Sequence, residues 1–480
     1  MPGEWLVRAS GREGWRAVKM GVASEQPAEE PVTWWGELLR SARGRMLVGA
    51  VVVVVVVFGI AAGVVATSSG TPAVPVLYMS GIGEHPCAPG QAYPLAAATS
   101  EQFLPDSSVL SGDRGNSCTP AAVAASTRWL NDGTVPGTAA QRDLAARALL
   151  DLRLSVQADG AVVAGFYPGW AYTWPRDSSF VIAALAATGH SAQAFSALRF
   201  LQRMQNPDGT WAARYHPDGS GPVTDGRPAE LDAVGWVPWA VWAWASARPA
   251  PPRAELIQLW PMVTAAARAA MASITSDGLP SAAMDYWEDK PIEQTLGTAA
   301  PLLAGLRAAA GLAQMRGDTT DQTRWGTVAD RLSAAIAKMF GATGYLRTPT
   351  ARSGADAAVT FLGPPFGQPS AAVLAAAAKA RQTLTEPNGG VRPGAAWPGA
   401  RGVAFTPETA MFALFDAGTG QEAAADQVLA WLAAHRTTLG EFPEQISPNG
   451  KPISVAPLAW TDAVVLLTLL AQRHQLPVVP

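Results

Sequence analysis

The chain has 480 residues, of which 49% are hydrophobic and only 15% are charged, so it is long enough for one large domain with additional segments. The formal net charge is −3 and the main body holds no basic block, which argues against a nucleic-acid partner. Eighteen tryptophans are many for this length, and we expect them to divide between the core and a binding cleft.

The first distinctive segment is an uncharged apolar stretch, Met46–Ala66, about as long as a helix that crosses a bilayer. Arg40, Arg43 and Arg45 precede it, and the next basic residue is Arg114. The positive-inside rule then predicts a cytoplasmic tail over residues 1–45, a transmembrane helix over 46–66 and an extracytoplasmic remainder attached to the cell membrane. A cleaved signal peptide is the alternative, since small residues end the stretch.

Residues 67–118 are rich in Gly, Pro, Ser and Thr and predict an extracytoplasmic stalk or a small disulfide-closed segment. Both cysteines of the chain, Cys87 and Cys118, fall in it. In an oxidising compartment they would pair and close a local loop, whereas elsewhere they would remain free thiols.

From residue 119 onward the sequence is a succession of Ala- and Leu-rich helical stretches with few alternating patterns, so the sheet content should be small. Gly-containing turns such as Asp208-Gly209 separate them. The predicted helices cover residues 138–154, 177–189, 191–205, 229–247, 253–274, 294–316, 320–340, 354–362, 369–385, 406–418, 420–436 and 455–473.

Twelve helices suggest an all-α fold in which six hairpins close into a ring, an (α/α)6 barrel. The inner helices of such a ring are apolar nearly all round, and the almost uncharged stretches 229–247 and 455–473 fit that position. An irregular α-solenoid has a similar helix count and stays an alternative, because periodicity does not distinguish the two.

The loops hold the unusual residue combinations, and binding and catalytic residues concentrate in loops. The first places Tyr172 and Trp174 ahead of the adjacent pair Arg176 and Asp177. Flat aromatic faces can cover the C–H surfaces of a sugar, while charged groups bind its hydroxyls. A helix cap and a surface ion pair are the purely structural alternative.

Three further loops add candidates. Residues 285–290 carry Trp287 beside Glu288, and a carboxyl desolvated by Trp has a raised pKa and keeps the proton of a general acid. The other two loops offer Glu444 and Arg392. Alone, each loop also fits an ordinary surface turn. The five histidines lack metal-ligand spacing and no Gly-rich phosphate loop is present, so neither a metal nor a cofactor is predicted.

Taken in order, these motifs resemble glycoside hydrolase family 15, the glucoamylase family. The resemblance covers roughly residues 120–480 and is specific because several motifs agree in order and spacing. It rests on the segments Tyr172–Ser178, Asp285–Glu288 and Pro443–Gln445, with support from Glu230–Asp232 and Ala459–Thr461.

The resemblance implies an inverting α-glucosidase on an (α/α)6 barrel over residues 119–480. Glu288 would be the general acid and Glu444 the general base, with the two carboxyls roughly 6.5–9.5 Å apart to leave room for the attacking water. Arg176 and Asp177 would hold the terminal glucose. The rest of the pocket would comprise Tyr172, Trp174, Trp287, Asp232 and Arg392, although Pro393 stands where the family usually has an aromatic residue.

The expected activity is release of glucose from the non-reducing ends of α-glucans or oligosaccharides. Trehalase or glucodextranase activity, or non-catalytic glycan binding, are the alternatives, and a phosphorylase is disfavoured by the second glutamate. The expected partners are an oligo- or polysaccharide and the membrane. Replacing Arg176 or Asp177 by Ala is expected to cost the fold only a helix cap, about 1 kcal/mol.

Overall fold

The structure is a computed structural model that describes residues 73–248, 250, 252–289 and 293–480. This part of the chain contains twelve α-helices and two small sheets. The helices are α1 (Thr119–Asp132), α2 (Arg142–Ser155), α3 (Pro175–Ala187), α4 (Ser191–Met204), α5 (Ala233–Ser246), α6 (Arg253–Ser273), α7 (Leu296–Arg316), α8 (Thr319–Met339), α9 (Ala371–Leu384), α10 (Thr406–Gly418), α11 (Glu422–Ala434) and α12 (Ala459–Ala471).

Six inner elements close into a ring. Helix α3 packs against α5, α5 against α7, and α7 against a short 3-10 helix, Ala357–Leu362. The ring continues through α10 to α12, which packs back against α3. Outer helices α4, α6, α8, α9, α11 and α2 each cover one inner element. Because the last inner helix meets the first, the fold is an (α/α)6 barrel and not an open solenoid.

The distribution of apolar residues explains which helices are inside. Helix α5 buries Trp236, Trp239 and Trp244, and α12 is buried along its whole length. Outer helix α4 instead buries one stripe, which includes Ala194 and Leu198. The prediction that stretches 229–247 and 455–473 are inner helices is confirmed. Truncating a buried Trp of this ring would cost roughly 3–5 kcal/mol of stability.

The fourth inner element differs from its prediction. A helix was expected over 354–362, but only the 3-10 helix Ala357–Leu362 forms there. Gly363, Pro364 and Pro365 follow it, and proline lacks the backbone N–H and restricts the residue before it. Helix α1 was not predicted, because its buried stripe includes Thr119 and Ser126 and so gives a weak apolar pattern.

The segment ahead of the helices packs as part of the barrel unit. Strands β1 (Met79–Glu84) and β2 (Ala92–Ala96) form an antiparallel hairpin, and residues Val74–Pro480 make one compact unit. Glu84 forms an ion pair with Arg153 of α2 at 2.9 Å. From Val74 onward, the predicted stalk is therefore a layer on the barrel. Cys87 and Cys118 are joined in a disulfide with a Cα–Cα distance of 5.1 Å.

A small sheet positions the loop that contains Glu444. It consists of β3 (Ala404–Phe405), β4 (Gln445–Ile446) and β5 (Pro452–Ile453), all antiparallel. The backbone N–H of Glu444 donates to the carbonyl of Val455 at 2.8 Å, and the Glu444 carbonyl accepts from the N–H of Thr406 at 2.9 Å. The loop is thereby fixed between the beginnings of α10 and α12.

Among the described residues, one helix, α7, is long and apolar enough to cross a bilayer. However, 89% of its most apolar 18-residue stretch is buried within the barrel. Its composition follows from its position in the inner ring. The predicted cytoplasmic tail over residues 1–45 and transmembrane helix over 46–66 lie outside the described residues.

Candidate active site

The beginnings of the inner helices surround a cavity of about 380 Å³. Its walls come from the first turns of α3, α10 and α12 and from the loops that precede α3, α5, α7, α10 and α12. Helix N-termini carry partial positive charge, which favours the carboxylates that collect there. The polar and aromatic lining residues include Trp170, Trp174, Arg176, Asp177, Arg214, Arg227, Tyr286, Trp287, Glu288, Trp397, Glu408, Glu444 and Trp460.

Glu288 lies at this cavity with its side chain 27% exposed. Its Oε1 is 3.4 Å from Nη2 of Arg176, and its Oε2 contacts the guanidinium of Arg227. Both guanidinium groups favour the charged form of this carboxyl. The ring of Trp287, expected to desolvate this carboxyl, instead stacks with Arg347, whose Cζ is 3.7 Å from the ring centroid.

The loop that carries Glu288 has an unusual backbone. Glu288 adopts φ 54°, in the left-handed region that non-glycine residues seldom occupy. Buried Asp285 fixes the turn by accepting from the N–H of Trp287 at 3.0 Å and from Thr295 Oγ1 at 2.7 Å. Arg347 adds an ion pair to Asp285 at 2.9 Å. Such strain persists where surrounding bonds over-determine the conformation, which is common at functional sites.

Glu444 is held on the cavity wall by three side-chain donors. Its Oε1 accepts from Trp170 Nε1 at 3.2 Å, while its Oε2 accepts from Gln445 Nε2 at 3.2 Å and from the Ser454 hydroxyl. Burial raises the pKa of this carboxyl, and the three hydrogen bonds oppose that rise. The carboxylate is therefore oriented and partly desolvated, as a group that accepts a proton from water needs to be.

Arg176 is the electrostatic centre of the site, and its side chain is 5% exposed. Its Nη1 lies 2.5 Å from Glu230 and 3.4 Å from Asp232, and its Nε lies 3.6 Å from Asp177. Together with the contact to Glu288, the guanidinium of Arg176 therefore contacts four carboxyl groups. Burial raises the pKa of Asp177 and of Asp232 to about 6, and the charge on Arg176 works against that rise.

The structure brings six of the nine predicted catalytic and substrate-binding residues to the cavity wall: Trp174, Arg176, Asp177, Trp287, Glu288 and Glu444. The other three are not among its lining residues. Tyr172 packs edge-on against Trp174, and Asp232 is buried beside Arg176. Arg392 is buried too, and its Nη2 donates to the carbonyl of Trp397 at 2.7 Å, so it supports a wall loop. Its role as a substrate ligand stays a prediction.

Several residues that line the cavity had no predicted role. Trp170 and Arg227 lie close in sequence to the motifs Tyr172–Ser178 and Glu230–Asp232, and that proximity was the available signal. Glu408 gave a weaker one, a lone acid in the first turn of an apolar helix. Arg214 gave none, because only the fold brings its guanidinium over the rings of Tyr172 and Trp174.

In the part of the chain that the structure describes, no group of three or more His, Cys, Asp or Glu side chains is arranged to hold a metal ion.

No protein-family model matches the chain. An uncharacterized glycosyl hydrolase of Methanocaldococcus jannaschii is 29% identical over 97 residues, which are 20% of this chain and 15% of that protein. A bacterial glucoamylase complexed with acarbose superposes with a TM-score of 0.60 at 17% identity, covering 76% of this chain and 60% of that chain. A glycosidase variant in complex with glucose gives 0.58 at 21% identity, covering 70% and 97%. The chain therefore has the barrel fold of glucoamylases and related glycosidases, which confirms at the level of fold the resemblance that its motifs carry.

Proposed function

We propose that the chain is an exo-acting, inverting α-glucosidase that releases glucose from the non-reducing ends of α-glucans or oligosaccharides. The observation that carries the proposal is the meeting of Glu288 and Glu444 at one cavity, although they lie on loops far apart in sequence. The cavity volume falls within the usual range for small-molecule sites. Its walls are the first turns of inner helices and the loops before them, and we expect this cavity at one end of the ring to take the end of a glucan chain.

The mechanism uses the two carboxyls in opposite protonation states. Glu288 gives its proton to the glycosidic oxygen as the bond from that oxygen to C1 breaks. Glu444 takes a proton from the water that attacks C1 on the opposite face. The products are a free alcohol and glucose of inverted configuration, and exchange of one proton with solvent restores both groups. Proton donation by Glu288 requires its contacts with Arg176 and Arg227 to loosen first.

Product stereochemistry tests this proposal. Full-length protein would be incubated with maltose, isomaltose and trehalose, with and without inorganic phosphate, and the products followed by proton NMR. From at least one of these α-linked sugars, independently of phosphate, we expect the glucose unit that held the glycosidic C1 to appear as the β-anomer before mutarotation. The leaving unit is itself glucose, so inversion of trehalose should give equal initial amounts of α- and β-glucose. Release of α-glucose alone from trehalose, or of no more β-glucose from maltose and isomaltose than the leaving unit supplies, would contradict inversion, and a phosphate requirement would indicate a phosphorylase. Sugar binding without glucose release would indicate a glycan-binding protein.

We also propose that an N-terminal helix over residues 46–66 anchors the barrel outside the cytoplasm. The support is the arginine cluster ahead of an uncharged apolar stretch. Protease added to intact cells should degrade the barrel, and barrel fragments that stay fully protected until lysis would contradict the topology. Recovery of the barrel in the medium would indicate a cleaved signal peptide.

A further inference from the structure

One carboxyl at the cavity has no role in the proposed chemistry. Glu408 lies in the first turn of α10, directly after Pro407, and its side chain reaches the same cavity as Glu444. The residue is 5% exposed, and its Oε2 has no hydrogen-bond partner in the described structure. A buried polar atom without a partner costs roughly 1–3 kcal/mol, so its presence in a residue that lines the cavity requires an explanation.

The surroundings of Glu408 favour its neutral form. Burial, as the largest cause, and the charge on Glu444 together raise the pKa of its carboxyl to about 8. Asp356 acts in the same direction, whereas the guanidinium of Arg176 acts against it. At pH 7 the group is thus a carboxylic acid that can donate one hydrogen bond and accept others. A sugar hydroxyl, which also donates and accepts, is complementary to it.

We infer that Glu408 is a substrate-binding residue that hydrogen-bonds, as a neutral acid, to one hydroxyl of the terminal glucose. The inference rests on the proposed function for the identity of the sugar and deepens it by adding a specificity residue to the same site. Neutrality is part of the role, because an ionised Glu408 would place a second negative charge beside Glu444. Its O–H would also no longer be available to the sugar.

Glucose binding measured by calorimetry on the full-length protein tests the inference without requiring turnover. Glu408→Gln keeps a donor and cannot ionise, so it should bind glucose about as well as the native protein. Glu408→Leu removes both donor and acceptor and should weaken binding on the order of tenfold. Glu422→Leu, on outer helix α11 away from the cavity, is the matched control and should bind normally.

Deoxy sugars separate direct contact from a structural role. The native protein should bind one monodeoxyglucose more weakly than glucose, because that sugar lacks the hydroxyl that Glu408 contacts. Glu408→Leu should bind the same deoxy sugar no worse than the native protein does, because the hydrogen bond is absent from both complexes. If Glu408→Leu does not fold, pH supplies the second readout. Native affinity for glucose should fall as the pH rises through about 8, and that fall should be absent in Glu408→Gln.

Three results would overturn the inference: equal loss of glucose affinity in the Gln and Leu variants, additive losses for every deoxy sugar, or an unchanged pH profile in Glu408→Gln. A native protein that does not bind glucose would overturn it as well. Glucose binding that follows the expected pattern without hydrolysis of any α-glucoside would contradict only the proposed function. Hydrolysis that is insensitive to Glu408 would contradict only this inference.

Discussion

The indole Nε1–H of Trp170 donates a hydrogen bond of 3.2 Å to Oε1 of Glu444. Trp170→Phe removes this donor but keeps an aromatic ring on the cavity wall. Hydrogen bonds to charged groups contribute about 1.5–3 kcal/mol, so we expect kcat/KM to fall roughly ten- to a hundredfold. Initial rates on the substrate identified by the NMR panel would measure the effect.

Trp129→Phe on α1 is the control for this substitution, since Trp129 stacks on His190 and does not line the cavity. It should leave kcat/KM unchanged. Loss of thermal stability by Trp170→Phe in proportion to its loss of activity would indicate that Trp170 only supports the loop and does not orient the carboxylate.

Part of the site and of the fold could be predicted from the sequence. Glu288, Glu444 and Arg176 were identified because they stand in motifs whose order and spacing are informative. The inner helices were identified because an almost uncharged apolar stretch, such as 455–473, favours a position in the core. These features depend on residue type and local order, both of which are readable along the chain.

The side-chain contacts could not be read in the same way. Arg392 was predicted to bind substrate, but its contacts with the carbonyl of Trp397 and the carboxylate of Glu386 could not be predicted. Glu288 was expected to be desolvated by Trp287, yet two arginines contact it. Glu408 was counted only as part of a helix. Each of these contacts depends on which groups from distant segments come together, and the closed ring determines which groups those are.

Replacement of Arg176 should now affect stability much more than a lost cap would. Arg176→Ala leaves Asp177, Glu230 and Asp232 buried without their cation. Removing one partner of a buried ion pair typically costs 3–5 kcal/mol, so the free energy of unfolding in urea should fall by about that amount. This replaces the sequence-based expectation of about 1 kcal/mol.

Arg203→Ala provides the control, because Arg203 forms an exposed ion pair with Asp159 at 3.9 Å. Its effect should stay within about 0.5 kcal/mol. If Arg176→Ala unfolded as the native protein does, the four carboxyl contacts would not be stabilising, and Arg176 would act only on the substrate.

The same carboxyl cluster predicts how stability depends on pH. Burial raises the pKa of Asp177, Glu230 and Asp232 above the ordinary carboxyl value; Arg176 opposes this, and mutual repulsion among the carboxyls adds to it. The folded state therefore holds more protons than the unfolded chain between about pH 4 and pH 8. Stability is highest at the acidic side of this window and falls as the pH rises, because the folded state then has to ionise buried groups.

Urea unfolding at pH 5 and at pH 8 measures this slope. Glu230→Gln, which keeps the size of the side chain and removes one titrating group, should flatten it. Stability that increases from pH 5 to pH 8 would mean that Arg176 stabilises all three carboxylates fully and that burial does not dominate.

The two glutamates at the centre of the proposal make the most specific prediction. Glu288→Gln and Glu444→Gln keep the side-chain volume but remove proton transfer, so hydrolysis of natural α-glucosides should fall by a factor of at least about 10²–10⁴ in each. Glu288→Gln should recover in part on aryl glucosides or glucosyl fluoride, because a good leaving group needs little protonation. Glu444→Gln should not recover on these substrates, because it lacks the group that activates water.

Azide distinguishes the two variants further. In Glu444→Gln the small anion can occupy the position of the attacking water, and it needs no base, so it should restore turnover and give the β-glucosyl azide from an α-glucosyl donor. In Glu288→Gln azide should restore nothing, since the attacking face still holds Glu444 and its negative charge. Rescue of Glu288→Gln to an α-glucosyl azide would show net retention through a covalent intermediate. Glu444 would then be the nucleophile and not the base.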